Sequence, residues 1–114
     1  MPSLDFAVNQ TAPTAGNGAS KALVAASTGN AIFLVQVTIE STNTTPDNVI
    51  FQDGSGGTSF YSFPAPFASA SGNVNGATFT FPTPLKQPTA NTALYCKNVT
   101  TSAETIVSVT GFQA

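Results

Sequence analysis

The segment Ala31–Glu40, with the sequence AIFLVQVTIE, decides the fold class. Apolar and polar residues alternate along most of it, and this period of two is typical of an antiparallel strand with one face buried and one in water. The alternation places Phe33, Val35, Val37 and Ile39 on the inward face and Gln36, Thr38 and Glu40 on the outward face, with Ile32 and Leu34 near the start. The sequence therefore predicts a half-buried strand here.

Strand-like segments recur along the rest of the chain, separated by Gly, Pro, Asn and Thr, and no segment has a helical period. The predicted strands are 4–8, 23–26, 31–40, 48–52, 58–63, 77–81, 92–98 and 104–112. The predicted inward pairs in the last two strands are Leu94 with Cys96 and Val107 with Val109. This spacing predicts an all-β, single-domain β-sandwich, jelly-roll-like, of about eight short antiparallel strands.

Prolines and glycines set the expected strand ends. Residues 53–57, DGSGG, are predicted to close a hairpin between strands 48–52 and 58–63. Pro82 and Pro84 are predicted to stop the strand 77–81, because proline removes a donor from the hydrogen-bond ladder. Residues 1–20 are predicted to form an N-terminal arm that a neighbour could order, and residues 21–114 the sandwich domain.

Charge is scarce throughout the chain. Only 7% of residues are charged, compared with about 25% in ordinary soluble domains. There are three lysines, no arginine and a net charge of −2, so we expect neither nucleic acid nor an anionic membrane as a partner. A surface with so little repulsion favours packing against other protein.

The sequence also lacks the residues of common catalytic sites. Without histidine there is no His-based triad, proton shuttle or imidazole metal site. The five carboxylates are not spaced as a glycosidase pair. The loop 53–57 lacks the Lys and helix of a phosphate loop and the ligand set of a calcium loop. We therefore expect no enzyme activity, no metal and no cofactor.

The single cysteine and the lack of a signal-peptide pattern predict a protein made in a reducing compartment. Cys96 cannot form an internal disulfide, and its apolar surroundings predict a small buried side chain. The start of the chain, Met1–Phe6, does not have the charge and apolar pattern of a secretory signal peptide. The longest apolar run, Ala31–Val35, is far shorter than the ~20 residues of a membrane helix.

The segment 60–67, FYSFPAPF, holds four aromatic side chains that cannot all alternate inward. One interpretation is core packing plus a loop folded over one end of the sandwich. The other is an exposed apolar contact patch of the kind found at interfaces. A carbohydrate platform is less favoured, since the chain has no Trp. The candidate interface residues are Pro2, Leu4, Phe6, Phe60, Tyr61, Phe63 and Phe67.

Several of these features together resemble one group of proteins. The alternating strand runs into a polar turn and then Asn48–Gly54, followed by the aromatic-proline loop, a Gly/Asn connector, Leu94–Cys96 and finally Ile106–Phe112. Over residues 21–113 this pattern resembles small virion proteins of tailed bacteriophages, namely capsid decoration (cement) proteins and head-fibre modules.

The resemblance implies a jelly-roll domain on the capsid exterior, often a trimer, with the major capsid protein as partner. It implies no catalysis and no cofactor, and a protein made in the cytoplasm of a bacterial host. Two alternatives stay open. One is a receptor-binding or fibre-tip module that recognises a host surface glycan, and the other is a non-viral β-sandwich interaction domain.

Overall fold

The computed structural model contains eight strands. It describes residues 4–12, 20–41, 47–65, 75–99 and 105–114. The strands are β1 (Leu4–Ala12), β2 (Lys21–Val24), β3 (Ile32–Ser41), β4 (Asp47–Asp53), β5 (Ser59–Ala65), β6 (Asn75–Lys86), β7 (Leu94–Asn98) and β8 (Thr105–Gln113). Each predicted strand overlaps one of them.

The strands form two four-stranded antiparallel sheets that pack face to face. Sheet A has the order β1-β8-β3-β6 and sheet B the order β2-β7-β4-β5. The first strand thus pairs with the last, the second with the seventh, the third with the sixth and the fourth with the fifth. This is a long hairpin rolled into two layers, which is the jelly-roll arrangement. The predicted β-sandwich is confirmed.

The core lies between the two inner faces. Leu94 and Cys96 of β7 and Val107 and Val109 of β8 are buried, as the alternation predicts. Sheet A contributes Ile32, Leu34, Val37, Ile39, Val107 and Val109, and sheet B contributes Leu23, Val24, Val49, Phe51, Phe63, Leu94 and Cys96. Burial of this apolar surface is the main force that holds the layers together.

The central strand β3 changes phase in its middle. Its ladders to both β8 and β6 shift between Leu34 and Gln36, so that Val35 is an extra, bulged residue. The inward-facing residues therefore have even numbers before the bulge and odd numbers after it. Ile32 and Leu34, which precede the bulge, are buried. The inward assignment of Val37 and Ile39 is confirmed. That of Phe33 and Val35 is wrong, and both are half-buried.

The prolines of β6 do not end the strand, contrary to the sequence prediction. Thr80 pairs with Gln36 and Leu85 with Leu34, so the four residues between them, 81–84, lie outside the paired positions. Because β6 is also an edge strand, Pro82 and Pro84 remove no hydrogen bond from the interior of the sheet. The strand therefore extends from Asn75 to Lys86.

The predicted hairpin is formed by β4 and β5. Gly54 and Gly56 have φ angles of 90° and 64°, which glycine adopts without steric cost. The Asp53 amide donates to the Thr58 carbonyl at 3.0 Å and the Gly57 amide to the Gly54 carbonyl at 3.0 Å. The loop 53–57 is thus a glycine turn, as predicted.

Part of the predicted N-terminal arm belongs to sheet A of the same chain. Residues 4–12 form β1, which pairs with β8 along its whole length, from Leu4 opposite Gln113 to Ala12 opposite Thr105. The rest of the predicted arm before residue 20, namely residues 1–3 and 13–19, lies outside the described residues.

Gly111 of β8 stands where β3 approaches most closely. A Cβ at this position would lie 2.0 Å from the Phe33 carbonyl oxygen and 3.1 Å from the Leu34 Cα. Both are backbone atoms next to the bulge, and they cannot move without disturbing the central strand. By contrast, a Cβ at Gly76 would lie 3.4 Å from the flexible Glu40 Cγ.

We therefore expect Gly111→Ala to lower the free energy of unfolding by about 3 kcal/mol, since it overpacks the backbone at the bulge. Gly76→Ala is the matched control in the same sheet and should change it by less than about 1 kcal/mol. Urea denaturation of the two variants measures the difference. Equal effects would contradict the role assigned to Gly111.

Candidate contact surfaces

The structure separates the predicted interface residues into different environments. Pro2 and Phe67 lie outside the described residues. The backbone of Leu4 begins β1. Phe6, the next candidate in this strand, is half-buried and packs against the core.

Phe63 is a core residue, with 1% of its side chain exposed. Its ring centroid lies 4.8 Å from that of Phe51, 5.2 Å from that of Phe79 and 6.1 Å from that of Phe81. These rings join edge strand β5 to edge strand β6 and close this side of the sandwich. Phe63 therefore contributes to packing and not to the free surface, which leaves Phe60 and Tyr61 as candidates from β5.

Tyr61 lies at the outer limit of this aromatic cluster. Its ring is 4.6 Å from Phe63 and meets Phe81 edge-on at 5.7 Å. At 39% exposed it is the most exposed aromatic side chain among the described residues, whereas Phe60 is half-buried against the core. We call the surface formed by Phe60, Tyr61 and Phe81 the Tyr61 edge.

A second aromatic feature lies on the outer face of sheet A. Asp5, Phe112, Phe33 and Lys86 occupy one row across the four strands, in that order. The rings of Phe33 and Phe112 stack at 4.9 Å with 13° between their planes. The Lys86 ammonium lies 5.9 Å from the Phe33 centroid, within cation-π range. Two half-buried aromatic rings thus lie side by side on the outside of the sandwich.

The middle of this outer face is polar but uncharged. From β1 to β6, its two central rows are Ala7, Thr110, Gln36 and Thr80, and Asn9, Ser108, Thr38 and Thr78. The hydroxyl oxygens of Thr38 and Thr78 are 3.1 Å apart and share a hydrogen bond. We call the face that carries these rows and the Phe33–Phe112 pair the hydroxyl face.

The Phe33–Phe112 pair is not predictable from the local sequence pattern. Residues 32–35 are all apolar, so either phase of the strand is compatible with the pattern. Only the bulge at Val35 selects the phase that turns Phe33 outward. No local signal in the sequence predicts that bulge.

A hydrogen-bonded cluster ties together the loops at one end of the sandwich. The Gln87 side-chain amide donates to Asp53 Oδ1 at 2.8 Å, to the Ala93 carbonyl at 3.1 Å and to the Thr92 carbonyl at 3.2 Å. The Thr89 hydroxyl donates to the other Asp53 oxygen. The Asp53 carboxylate and the two carbonyls therefore receive their hydrogen bonds from within the protein. Since the donor Gln87 is itself buried, the cluster has a structural role.

Gln87→Ala should lower the free energy of unfolding by about 2–3 kcal/mol, because it removes the buried amide that donates to Asp53 Oδ1 and to the Thr92 and Ala93 carbonyls. Gln36→Ala, at an exposed position of β3, is the control and should stay within about 0.5 kcal/mol of the parent protein. Chemical denaturation compares the two. Similar small changes in both variants would show that the cluster does not hold the loops.

Cys96 is completely buried between the sheets, in agreement with the sequence prediction. Burial raises the pKa of its thiol from 9.0 to about 12, and nearby Lys21 opposes this shift. The protonated thiol is therefore stabilised in the folded state. Between about pH 9 and pH 12 the unfolded chain loses this proton and the folded chain keeps it, so the thiol makes stability fall as pH rises.

In the folded protein at pH 8 we expect Cys96 to react with a thiol-specific disulfide reagent at least about a hundredfold more slowly than in denaturant, because both burial and protonation protect it. Absorbance of the released reagent anion follows the reaction. Rapid modification without loss of structure would contradict the packing of Cys96.

The described residues contain no group of three or more Cys, Asp and Glu side chains that could hold a metal ion. Nor does this part of the chain include a helix long and apolar enough to cross a membrane. In comparisons with known proteins, the sequence matches no protein-family model and no curated protein.

Proposed function

We propose that this chain is a structural virion protein, a capsid decoration protein that binds the outside of a bacteriophage head and stabilises the lattice. The observation that carries the proposal is the stacked Phe33–Phe112 pair on the outer face of sheet A, next to two central rows that carry no charge. Aromatic side chains in a charge-poor surface are the composition typical of the centre of a protein interface.

The jelly-roll fold is compatible with this role. Jelly-roll sandwiches occur in viral capsid proteins and also in lectins and cupins. Because one fold supports many functions, the surface of the sandwich determines what it can bind. Here the hydroxyl face offers two aromatic rings and many short polar side chains, which suits a protein partner.

Charge supports the same assignment. The two central rows of the hydroxyl face carry no charge, and its charged residues, Asp5, Lys86 and Glu40, lie in the rows on either side. Docking such a face against protein requires little desolvation of ionised groups. The aromatic pair would provide most of the affinity, and the hydroxyl rows could form hydrogen bonds across the interface.

The mechanism is thermodynamic. A protein that binds only the assembled lattice lowers the free energy of that state in proportion to its occupancy. Many symmetry-related copies act at once, so weak individual contacts suffice. This role requires no catalytic group or cofactor.

Heads of the phage that encodes the chain, stripped of decoration protein, provide the test. We expect the purified protein to cosediment with them, and the double substitution Phe33→Ser with Phe112→Ser to weaken binding about tenfold or more. Tyr61→Ala is the control on a different surface and should bind like the parent. Thermal melting of each variant shows that the fold is intact.

No binding of the parent protein to such heads, or equal binding to unrelated particles, would contradict the proposal. The fibre-tip alternative is favoured by one observation, the exposure of the Tyr61 ring, because sugars bind on exposed aromatic rings. It predicts binding to a glycan array that Tyr61→Ala abolishes. Binding to neither target would favour a non-viral interaction domain.

A further inference from the structure

The four edge strands of the sandwich differ in how they resist pairing with another strand. Native sheets protect their edges with short strands, bulges, proline or lysine. The edge strands are β1 and β6 in sheet A and β2 and β5 in sheet B. Three of them carry such devices.

In sheet B both edges are protected. Strand β2 has four residues, includes Lys21 and has an irregular register with β7. Strand β5 contains Pro64 and a register shift opposite Phe51 and Gln52. In sheet A, β6 contains Pro82, Pro84 and Lys86 and bulges away from β3.

Strand β1 has none of these devices. Its nine residues pair with β8 without a register shift and include neither proline nor lysine. At about 3.4 Å per residue it is about 30 Å long. Among the described residues β8 is its only strand partner. In an antiparallel sheet the other side of such a strand presents a row of amide and carbonyl groups.

We propose that the open edge of β1 pairs with β1 of a second copy of this chain, in an antiparallel arrangement about a two-fold axis. The proposal goes beyond the capsid function and does not depend on it. A two-fold pair brings the same edge of each copy together, so the contact closes on itself and needs no second complementary surface.

Because the other three edge strands are protected against pairing, the partner strand for β1 is β1 of a second copy. A head-to-tail contact would require β1 to meet β2, β5 or β6, and each of these is protected. The charges of β1 also permit self-pairing. Its one charged residue is Asp5, and a pairing centred on Val8 places Asp5 opposite Thr11 of the second copy. No like charges then face each other across the pair.

The pairing would join two copies of sheet A into one eight-stranded sheet. Antiparallel neighbours in a sheet are related by a two-fold axis perpendicular to it, so the hydroxyl faces of both copies would lie on the same side. Two Phe33–Phe112 pairs would then be presented together. The homo-oligomer proposed here has two-fold symmetry, in place of the trimer that the resemblance to virion proteins implies.

The test is the mass of the purified protein by sedimentation equilibrium over a range of concentrations. We expect a monomer–dimer equilibrium. The double substitution Ala7→Lys with Asn9→Lys should weaken it at least about tenfold, because in the pairing centred on Val8 residue 7 of each copy faces residue 9 of the other. The matched control is Thr110→Lys with Ser108→Lys, at the ladder partners of the same residues on β8, one strand in from the edge.

Loss of the dimer in the edge variant alone, with unchanged circular dichroism and melting temperature, supports the proposal. Equal loss in both variants would place the contact on the hydroxyl face and overturn it. A parent protein that is strictly monomeric or trimeric would also overturn it. If the edge variant fails to fold, protection of the β1 amides from hydrogen exchange that increases with concentration decides the question. None of these outcomes depends on binding to phage heads.

Discussion

The bulge at Val35 is the constraint on which much of sheet A depends. Strand β3 pairs with β8 on one side and β6 on the other, and both ladders shift at the same place. The extra residue reverses which side chains face inward, so Ile32 and Leu34 can join Val37 and Ile39 in one core. A strand of this length without the bulge would turn one of these two pairs outward.

Neighbouring strands accommodate the bulge in different ways. On the β8 side, Gly111 leaves room for the Phe33 carbonyl, where any side chain would collide with it. On the β6 side, residues 81–84 lie outside the ladder, and the two prolines are placed there. The outer surface changes as well, since the altered phase turns Phe33 outward against Phe112. The feature that organises the core thus also creates the aromatic pair used in the proposed function.

This dependence explains which parts of the structure the sequence predicts well. Strands β7 and β8 have a single clear alternation, and their buried residues follow it. The β4–β5 hairpin is marked by its glycine turn. Local patterns fail at β3, where four consecutive apolar residues fit both phases, and at β6, where prolines are tolerated only because the strand is an edge beside a bulge. Both failures concern pairing between distant segments, which a local pattern does not specify. For the same reason the hydroxyl face was not predicted from the sequence.

The few charged residues of the chain include lysines at particular positions in the sheets. Two of the three lysines, Lys21 and Lys86, lie in edge strands, where lysine opposes unwanted strand pairing. The hydroxyl face, which contacts the protein partner in the proposed function, has uncharged central rows. A chain with few charges therefore places most of its positive charge at edges that must remain unpaired. Strand β1, a long and regular edge without lysine or proline, is the exception, and it is the edge that the proposed pairing with a second copy would cover.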